Sequence, residues 1–242
     1  MIAVVIPALN EAENVGGVVD GLQEQDADLV IVVDNGSTDG TAEVAAQHGA
    51  VVVTEPRRGY GQACATGSAE AVARGSDIIV YIDADQSSRP DELSRLVGPI
   101  RSDQADLVLG SRVLGTVEHR AMGPHQRFGN WLTAAMMRAL YDVAVTDLGP
   151  YRAIRADVLA SLQMTEMTFG WPTEMMVKTA RRQERIMEVP VTWQVRNAGE
   201  SKVSGTIRGT ILSARFLLGV TLKHAGRPKL TDLRRRLSTR PG

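Results

Sequence analysis

Two aspartate-bearing turns carry the chemistry this chain can do. Asp83-Ala84-Asp85 follows the apolar run Ile78–Ile82, and Asp34-Asn35-Gly36-Ser37-Thr38-Asp39 follows Leu29–Val33. Carboxylates at i and i+2 just past a strand can converge on one Mg²⁺ or Mn²⁺ if the turn brings them together. Hard divalent ions take such oxygen ligands, keep several waters and gain phosphate oxygens from substrate. An Asp-x-Asp triplet alone is as readily a loop or cap; its place behind a buried-type strand is what points to a site. The chain has no Gly-x-x-x-x-Gly-Lys-Ser/Thr loop, and no Gly-x-Gly-x-x-Gly follows its first apolar run, which argues against a P-loop NTPase and a dinucleotide fold. The expected chemistry is that of an enzyme handling a phosphorylated substrate through a divalent metal.

The elements that must position these residues follow from hydrophobic periodicity. Continuous runs at Leu29–Val33 and Ile78–Ile82 fit central parallel strands covered on both faces, and Ile2–Ile6 and Val51–Val53 read as further strands. Between them lie helical patterns over Ala12–Gln23, Thr41–Gln47 and from Gly59-Tyr60-Gly61 to Arg74. Alternation at this period predicts a doubly wound α/β fold, in which ligands bind beyond the carboxyl ends of the strands. Further on, a helix from Pro90 to near Ile100, a strand over Leu107–Gly110 and helices over Phe128–Tyr141 and Pro172–Ala180 are predicted. Tyr151–Ile154 and Ile186–Val195 read as extended, and Thr206–Leu222 as a last helix. No linker or repeat divides the 242 residues, so one domain over 1–222 with a tail over 223–242 is the economical division.

Composition narrows the partners. Aromatic residues are only 4%, too few for the stacking platforms of single-stranded nucleic-acid binders, and no nucleic-acid partner is expected. The net charge of -1 hides an asymmetry, because the tail from Lys223 carries seven basic residues against the single acid Asp232. An acidic body with a basic tail suits contact with anionic lipid. The single cysteine, Cys64, excludes an intrachain disulfide and favours a reducing compartment, and it reads as structural. No signal peptide and no apolar stretch long enough to span a bilayer is seen, so a cytoplasmic location is expected, peripheral on the membrane if 206–242 makes contact.

Taken in order, the motifs resemble family 2 glycosyltransferases of the GT-A fold, specifically the dolichyl- or polyprenyl-phosphate sugar synthase branch. The resemblance is carried by Val5-Ile6-Pro7-Ala8-Leu9-Asn10-Glu11, by Val32–Gly40, by Gly59-Tyr60-Gly61 and by Asp83-Ala84-Asp85. It continues through Gly110-Ser111-Arg112, Arg127-Phe128-Gly129-Asn130, Thr146–Arg152 and Ser201-Lys202-Val203-Ser204-Gly205. It implies a mostly parallel sheet flanked by helices, with a nucleotide-sugar half over about 1–110 and an acceptor half over 111–222. The implied reaction is metal-dependent, inverting transfer of a hexose from a GDP- or UDP-sugar to an isoprenoid lipid phosphate. Asp83 and Asp85 match the residues that hold Mg²⁺ or Mn²⁺, and Asp34 and Asp39 those near the base or ribose. Pro7, Asn10 and Glu13 match positions at the mouth of the nucleotide site. Asp39 has a helix cap as its lesser alternative, and Glu13 is equally a first-turn acid. Two departures stand out: Asn35 replaces a second aspartate, and Ser87 stands where some mannosyltransferases carry a metal-associated Gln, with Gln86 one residue earlier. Ser87, Gln86 or water is then the third ligand.

A phosphate acceptor has a second pKa near 6 and needs no general base; it needs positive charge to orient it. Arg112, Arg127 and Lys202 match basic family positions and are the candidates. Asp147 either fixes the acceptor loop through Arg152 or touches the sugar; Glu174 either binds sugar hydroxyls or is a first-turn acid. Two rival readings remain open: a glycosyltransferase for a small phosphate or hydroxyl acceptor, its base drawn from Asp147 and Glu174, and a non-catalytic nucleotide-sugar-binding domain.

Overall fold

The computed structural model describes residues 1–197 except Asp26, Arg120 and Met122, and describes 124–128 as helix backbone only. The helix predicted over 206–222, the segment 199–205 and the tail over 223–242 lie outside the described residues. Among the described residues seven strands form one sheet: β1 (Ile2–Ala8), β2 (Leu29–Asp34), β3 (Val51–Thr54), β4 (Ile78–Tyr81), β5 (Leu107–Val117), β6 (Arg152–Arg155) and β7 (Ile186–Trp193). Their order is β3-β2-β1-β4-β6-β5-β7. All neighbouring pairs are parallel except those made by β6, which runs against β4 and β5.

The strand side chains divide between two cores because strand residues alternate faces. Ile2, Val4 and Ile6 of β1 pack with Val30, Val32, Val80 and Ile82 under α1 (Ala12–Gln23), α2 (Thr41–Gln47) and α4 (Leu93–Arg101). Ala3 and Val5 pack with Ile31, Val33, Ile79 and Tyr81 on the opposite face. That face is covered by α3 (Tyr60–Ala73), α6 (Ala156–Leu162) and α7 (Trp171–Arg181). Burial on both faces is why these strands read as unbroken apolar runs.

Three departures from the predicted elements have physical causes. β5 continues seven residues past Gly110, re-pairing with β7 after a register shift between Ser111 and Thr116; this half is exposed and lacks an apolar run. α5 (Pro124–Tyr141) starts four residues before Phe128, with proline in its first turn, where a missing N–H costs nothing. α6 follows β6 directly with no turn residue to announce it.

Candidate active site

β1, β2 and β4 run parallel, so their carboxyl ends share one edge. β1 lies beside β4 while β2 and β3 step away on its other side, which makes the β1/β4 junction the topological switch point. Asp34 ends β2 and Asp83 stands two residues beyond β4, both at that edge. Pro7 also fits there. β1 pairs with β4 only as far as Val5↔Tyr81, so the N–H that proline lacks has no ladder partner to lose.

The Asp83 carboxylate accepts a long hydrogen bond from the Tyr60 hydroxyl at 3.4 Å. Enclosure by protein, and next the negative charge of Asp85, push its pKa up to about 7. On Asp85, Oδ1 accepts the Ser87 N–H at 3.0 Å and the Ser87 hydroxyl at 2.5 Å. Its Oδ2 accepts Arg196 Nη2 at 3.2 Å. Gln86 turns away, with φ of 60° and its amide donating to the Asn14 carbonyl at 2.9 Å. Two crowded carboxylates, one already reluctant to be charged, form an all-oxygen donor pair that fits a hard divalent ion. Ser87 and Gln86, the candidates for a third ligand, are both committed to other hydrogen bonds. Among the described residues no cluster of three or more His, Cys, Asp or Glu surrounds a cation position.

On the β2 side, the loops are stitched to one another. Asn10, in the left-handed region at φ 50°, donates its N–H to Ser37 Oγ at 2.9 Å and accepts the Thr38 N–H at 2.8 Å. Asp34 is nearly buried and accepts the Ser37 N–H at 3.0 Å. Asp39 accepts the N–H groups of Ala12 and Thr41, each at 3.1 Å, and the Thr41 hydroxyl at 2.5 Å. Burial opposes its charge, but the Thr41 and Ala12 bonds outweigh that and hold its pKa below the usual value. Asp39 thus fastens the starts of α1 and α2, while Gly40 itself holds the N-cap position of α2. Asn35 explains its own presence. Its amide nitrogen donates to the carbonyls of Glu55 and Arg57 and its oxygen accepts the Gly59 N–H, all at 2.8 Å. An aspartate has no donor for those carbonyls. Glu13 sits exposed in the first turn of α1.

Across the cleft, Asp147 is fully buried and takes the Arg112 backbone N–H, Nε and Nη2, each at 2.7 Å. The Arg112 guanidinium lies 4.8 Å from the centre of the Trp193 ring. This corrects the expected link through Arg152. Arg152 instead binds the carbonyls of Pro172, Leu148 and Gly149, because β6 buries it beneath the cleft beside Tyr81. Glu188 on β7 receives the N–H groups of Thr146 and Asp147 and so holds the loop that presents Asp147. Asn130 joins α5 to that loop, donating to the Thr146 carbonyl and accepting the Leu148 N–H. The side chain of Arg127 and all of Lys202 lie outside the described residues.

Glu174 is structural in its contacts. It is buried, pairs with Lys178 at 2.9 Å, and accepts the N–H groups of Thr165 and Glu166 at 2.9 and 2.7 Å. It accepts the Thr165 hydroxyl as well, at 2.6 Å. Burial would raise its pKa, but the Lys178 and Thr165 bonds dominate and bring it to about 2. The loop it holds packs on α3, where Gly59 and Gly61 leave no room for a Cβ against the Glu166–Met167 backbone. Glu174→Gln should lower stability by about 3 kcal/mol, the scale for breaking a buried pair. Its folded pKa is depressed, so this advantage of the wild type is present above about pH 4.5 and fades as pH falls toward 2. Denaturant unfolding of both proteins from pH 3 to pH 7 checks it; a gap independent of pH would contradict the ionic assignment.

Two residues that the sequence did not single out as site residues belong to this cleft. Glu11, 8% exposed, receives Arg196 Nη2 at 2.7 Å, and the same guanidinium reaches Asp85. Glu11 ends the motif Val5–Glu11, whereas Arg196 stands alone 111 positions from Asp85, and no spacing marks it.

A groove of about 780 Å³ is lined by Arg112 and Val113 from β5, by Trp131, Ala135 and Arg138 from α5, and by Val145.

A mostly parallel sheet with Asp34, Asp83 and Asp85 at or beyond its strand ends and Arg112 in the other half of the chain has the architecture of the GT-A glycosyltransferases. Residues 3–162 match the model of glycosyl transferase family 2, and the chain belongs to that family. It is 37% identical to an uncharacterised glycosyltransferase of Mycobacterium tuberculosis, over 88% of this chain and 94% of that protein. It is 34% identical to an undecaprenyl-phosphate mannosyltransferase of Micrococcus luteus, over 85% and 88%. Among solved structures, glucosyl-3-phosphoglycerate synthase of Mycobacterium tuberculosis, in complex with Mn²⁺, UDP and phosphoglyceric acid, matches with a TM-score of 0.74 and 25% identity. That match covers 95% of this chain and 80% of the other. The protein is a hexosyltransferase of this family and fold.

Proposed function

We propose that this enzyme transfers a hexose, mannose being the first candidate, from a nucleoside diphosphate sugar to the phosphate of a polyprenyl lipid. The similarity to the undecaprenyl-phosphate mannosyltransferase of Micrococcus luteus supports this acceptor, while phosphoglyceric acid, a small phosphate, is bound by the structural neighbour. The observation that carries the choice is the groove. Its walls are mainly apolar with Arg112 among them, and a three-carbon phosphate has no apolar chain to place against them. A dianionic phosphate at Arg112 also needs no proton removed. Asp147 and Glu174, the bases a hydroxyl acceptor would require, are both saturated with donors.

In this reading the half over 1–110 holds the donor and the half from 111 receives the acceptor. Asp34 and the stitched loops at Asn10 and Ser37 shape the nucleoside end of the cleft. Asp83 and Asp85 would hold the divalent ion, which supplies charge neutralisation to the departing diphosphate. Ser87 orients Asp85, and Tyr60 steadies Asp83. Arg112, aimed by Asp147 and Trp193, orients the acceptor phosphate, with Arg127 and Lys202 as further cations from the same half. No helix among the described residues is long and apolar enough to cross a membrane, and 206–242 is the candidate for peripheral contact with lipid.

Incubation with GDP- and UDP-hexoses, Mn²⁺ or Mg²⁺, and either a polyprenyl phosphate or 3-phosphoglycerate tests the proposal. A sugar-phosphate lipid should form; product from phosphoglycerate alone would refute the lipid acceptor. Ala135→Glu, placing a charge on the exposed groove wall, should raise KM for a long-chain acceptor about tenfold, equivalent to about 1.4 kcal/mol. A two-unit prenyl phosphate should be turned over as before; an equal effect on both chain lengths would remove the groove from the acceptor path.

A further inference from the structure

Arg196 occupies an unexpected place for a basic residue: the acidic side of the donor cleft. It comes from the segment after β7, and its Nη2 bridges Glu11 Oε1 at 2.7 Å and Asp85 Oδ2 at 3.2 Å. Its side chain is 17% exposed, and those of its two partners are 8% and 20% exposed. The two oxygens of Asp85 are not equivalent. Oδ1 is filled by both donors of Ser87, whereas Oδ2 is held by Arg196, through Nη2 and, less closely, Nε at 3.4 Å. The oxygen that Ser87 leaves to an incoming cation is therefore the one on which a guanidinium already rests. Glu11 is a separate anchor for that guanidinium, and its Oε2 is held in turn by Asn14 Nδ2 at 2.8 Å.

A divalent ion on Asp85 Oδ2 would face the Arg196 charge across a single oxygen, and like charges at that range in a partly enclosed cleft repel strongly. Without the ion, Glu11, Asp83 and Asp85 would crowd three negative charges together. The guanidinium answers the second problem and creates the first. We infer that Arg196 is an internal counter-cation of the acidic site, bridging Glu11 and Asp85 before a divalent ion binds and ceding Asp85 Oδ2 to the ion while remaining on Glu11. The inference rests on reading Asp83 and Asp85 as the cation pair. Arg196 is then a positioning residue that sets how tightly the metal is held without donor, and metal occupancy becomes coupled to the segment that leaves β7.

The sign of one measurement separates this from a merely structural ion pair. Mn²⁺ alone is titrated into the full chain and free Mn²⁺ is followed by electron paramagnetic resonance, without and then with UDP. Arg196→Gln and Arg196→Ala should bind Mn²⁺ about tenfold tighter than wild type without nucleotide, because the competing charge is gone. Arg196→Lys should stay near wild type. A structural pair predicts the reverse, since loosening Asp85 would weaken the metal. In the wild-type chain, whose tryptophans are Trp131, Trp171 and Trp193, emission should change saturably with Mn²⁺, and in Arg196→Gln and in Trp193→Phe it should not. Thermal unfolding identifies any variant that is not folded, and the wild-type fluorescence does not depend on the variants. Unchanged or weaker Mn²⁺ binding in a folded Arg196→Gln, or a silent Trp193, overturns the inference while leaving the cation pair standing. Failure of the wild type to bind Mn²⁺ even with UDP overturns the cation pair and this inference with it.

Discussion

Asp83→Asn is expected to melt several degrees above the wild-type chain at pH 8 in the absence of divalent ions, while losing about a thousandfold in transfer. The gain in stability follows from the environment of the carboxylate. Burial, and after it the charge of Asp85, raise its pKa to about 7, so its ionised form is disfavoured in the folded state. A raised folded pKa contributes stability fully present below the unfolded value near 3.8 and lost as pH climbs through about 7. The melting gap between mutant and wild type should accordingly be small at pH 4 and widen to pH 8. Partial exposure and coupling to Asp85 keep the difference on the order of 2 kcal/mol, or about 4–8 °C for a chain of this size. Mn²⁺ should reverse the order, since binding at a hundred times Kd adds about 2.7 kcal/mol to the wild type alone. The transfer loss corresponds to about 4 kcal/mol of transition-state stabilisation from a metal-held diphosphate. Asp83→Asn with near-normal turnover and metal response would place the donor phosphates elsewhere in the cleft.

The donor side of this cleft was legible in the sequence because two-sided burial writes itself as apolar runs, and the residue that ends such a run lies at the sheet's functional edge. Asp34, Asp83 and Asp85 are located by that logic alone, and the strand–helix alternation fixes the parallel sheet that aligns them. Legibility drops where position depends on contacts between distant segments. Arg112 and Asp147 were both singled out, yet their partnership was not, since a residue five places from Asp147 is as plausible a mate as one 35 places away. Arg196 is tied to Glu11 across 185 positions and carries no periodic signal. Asn35 reads as a departure from its family until the two loops that it joins, its own and the one over 55–59, are seen together. The exposed half of β5 escapes prediction for a related reason: its strand character comes from β7, not from its own side chains.

Asp147→Asn should be the most destabilising single change in the acceptor half, at about 3–5 kcal/mol, because it strips the counter-charge from Arg112 inside the protein. Asp147 accepts three bonds from Arg112 and one from the Leu148 N–H, each at 2.7 Å, and is fully buried. An asparagine supplies one acceptor oxygen and turns an amide donor toward the others. Arg112→Ala should cost a similar amount by leaving the carboxylate uncompensated, and the double variant Arg112→Met/Asp147→Asn should cost less than the two single losses added together. The functional effect should fall mainly on one substrate. Arg112 also faces the Trp193 ring and lines the groove, so its misplacement should raise KM for the phosphate acceptor. Nucleotide affinity should change less than acceptor KM, because the nucleoside end is shaped by the stitched loops at Asn10 and Ser37 and Arg112 reaches the donor side only through its charge on Asp83. Calorimetric titration of nucleotide and steady-state kinetics against acceptor, run at a temperature where Asp147→Asn remains folded, separate the two. Lost nucleotide affinity with unchanged acceptor KM would move Arg112 from the acceptor to the donor.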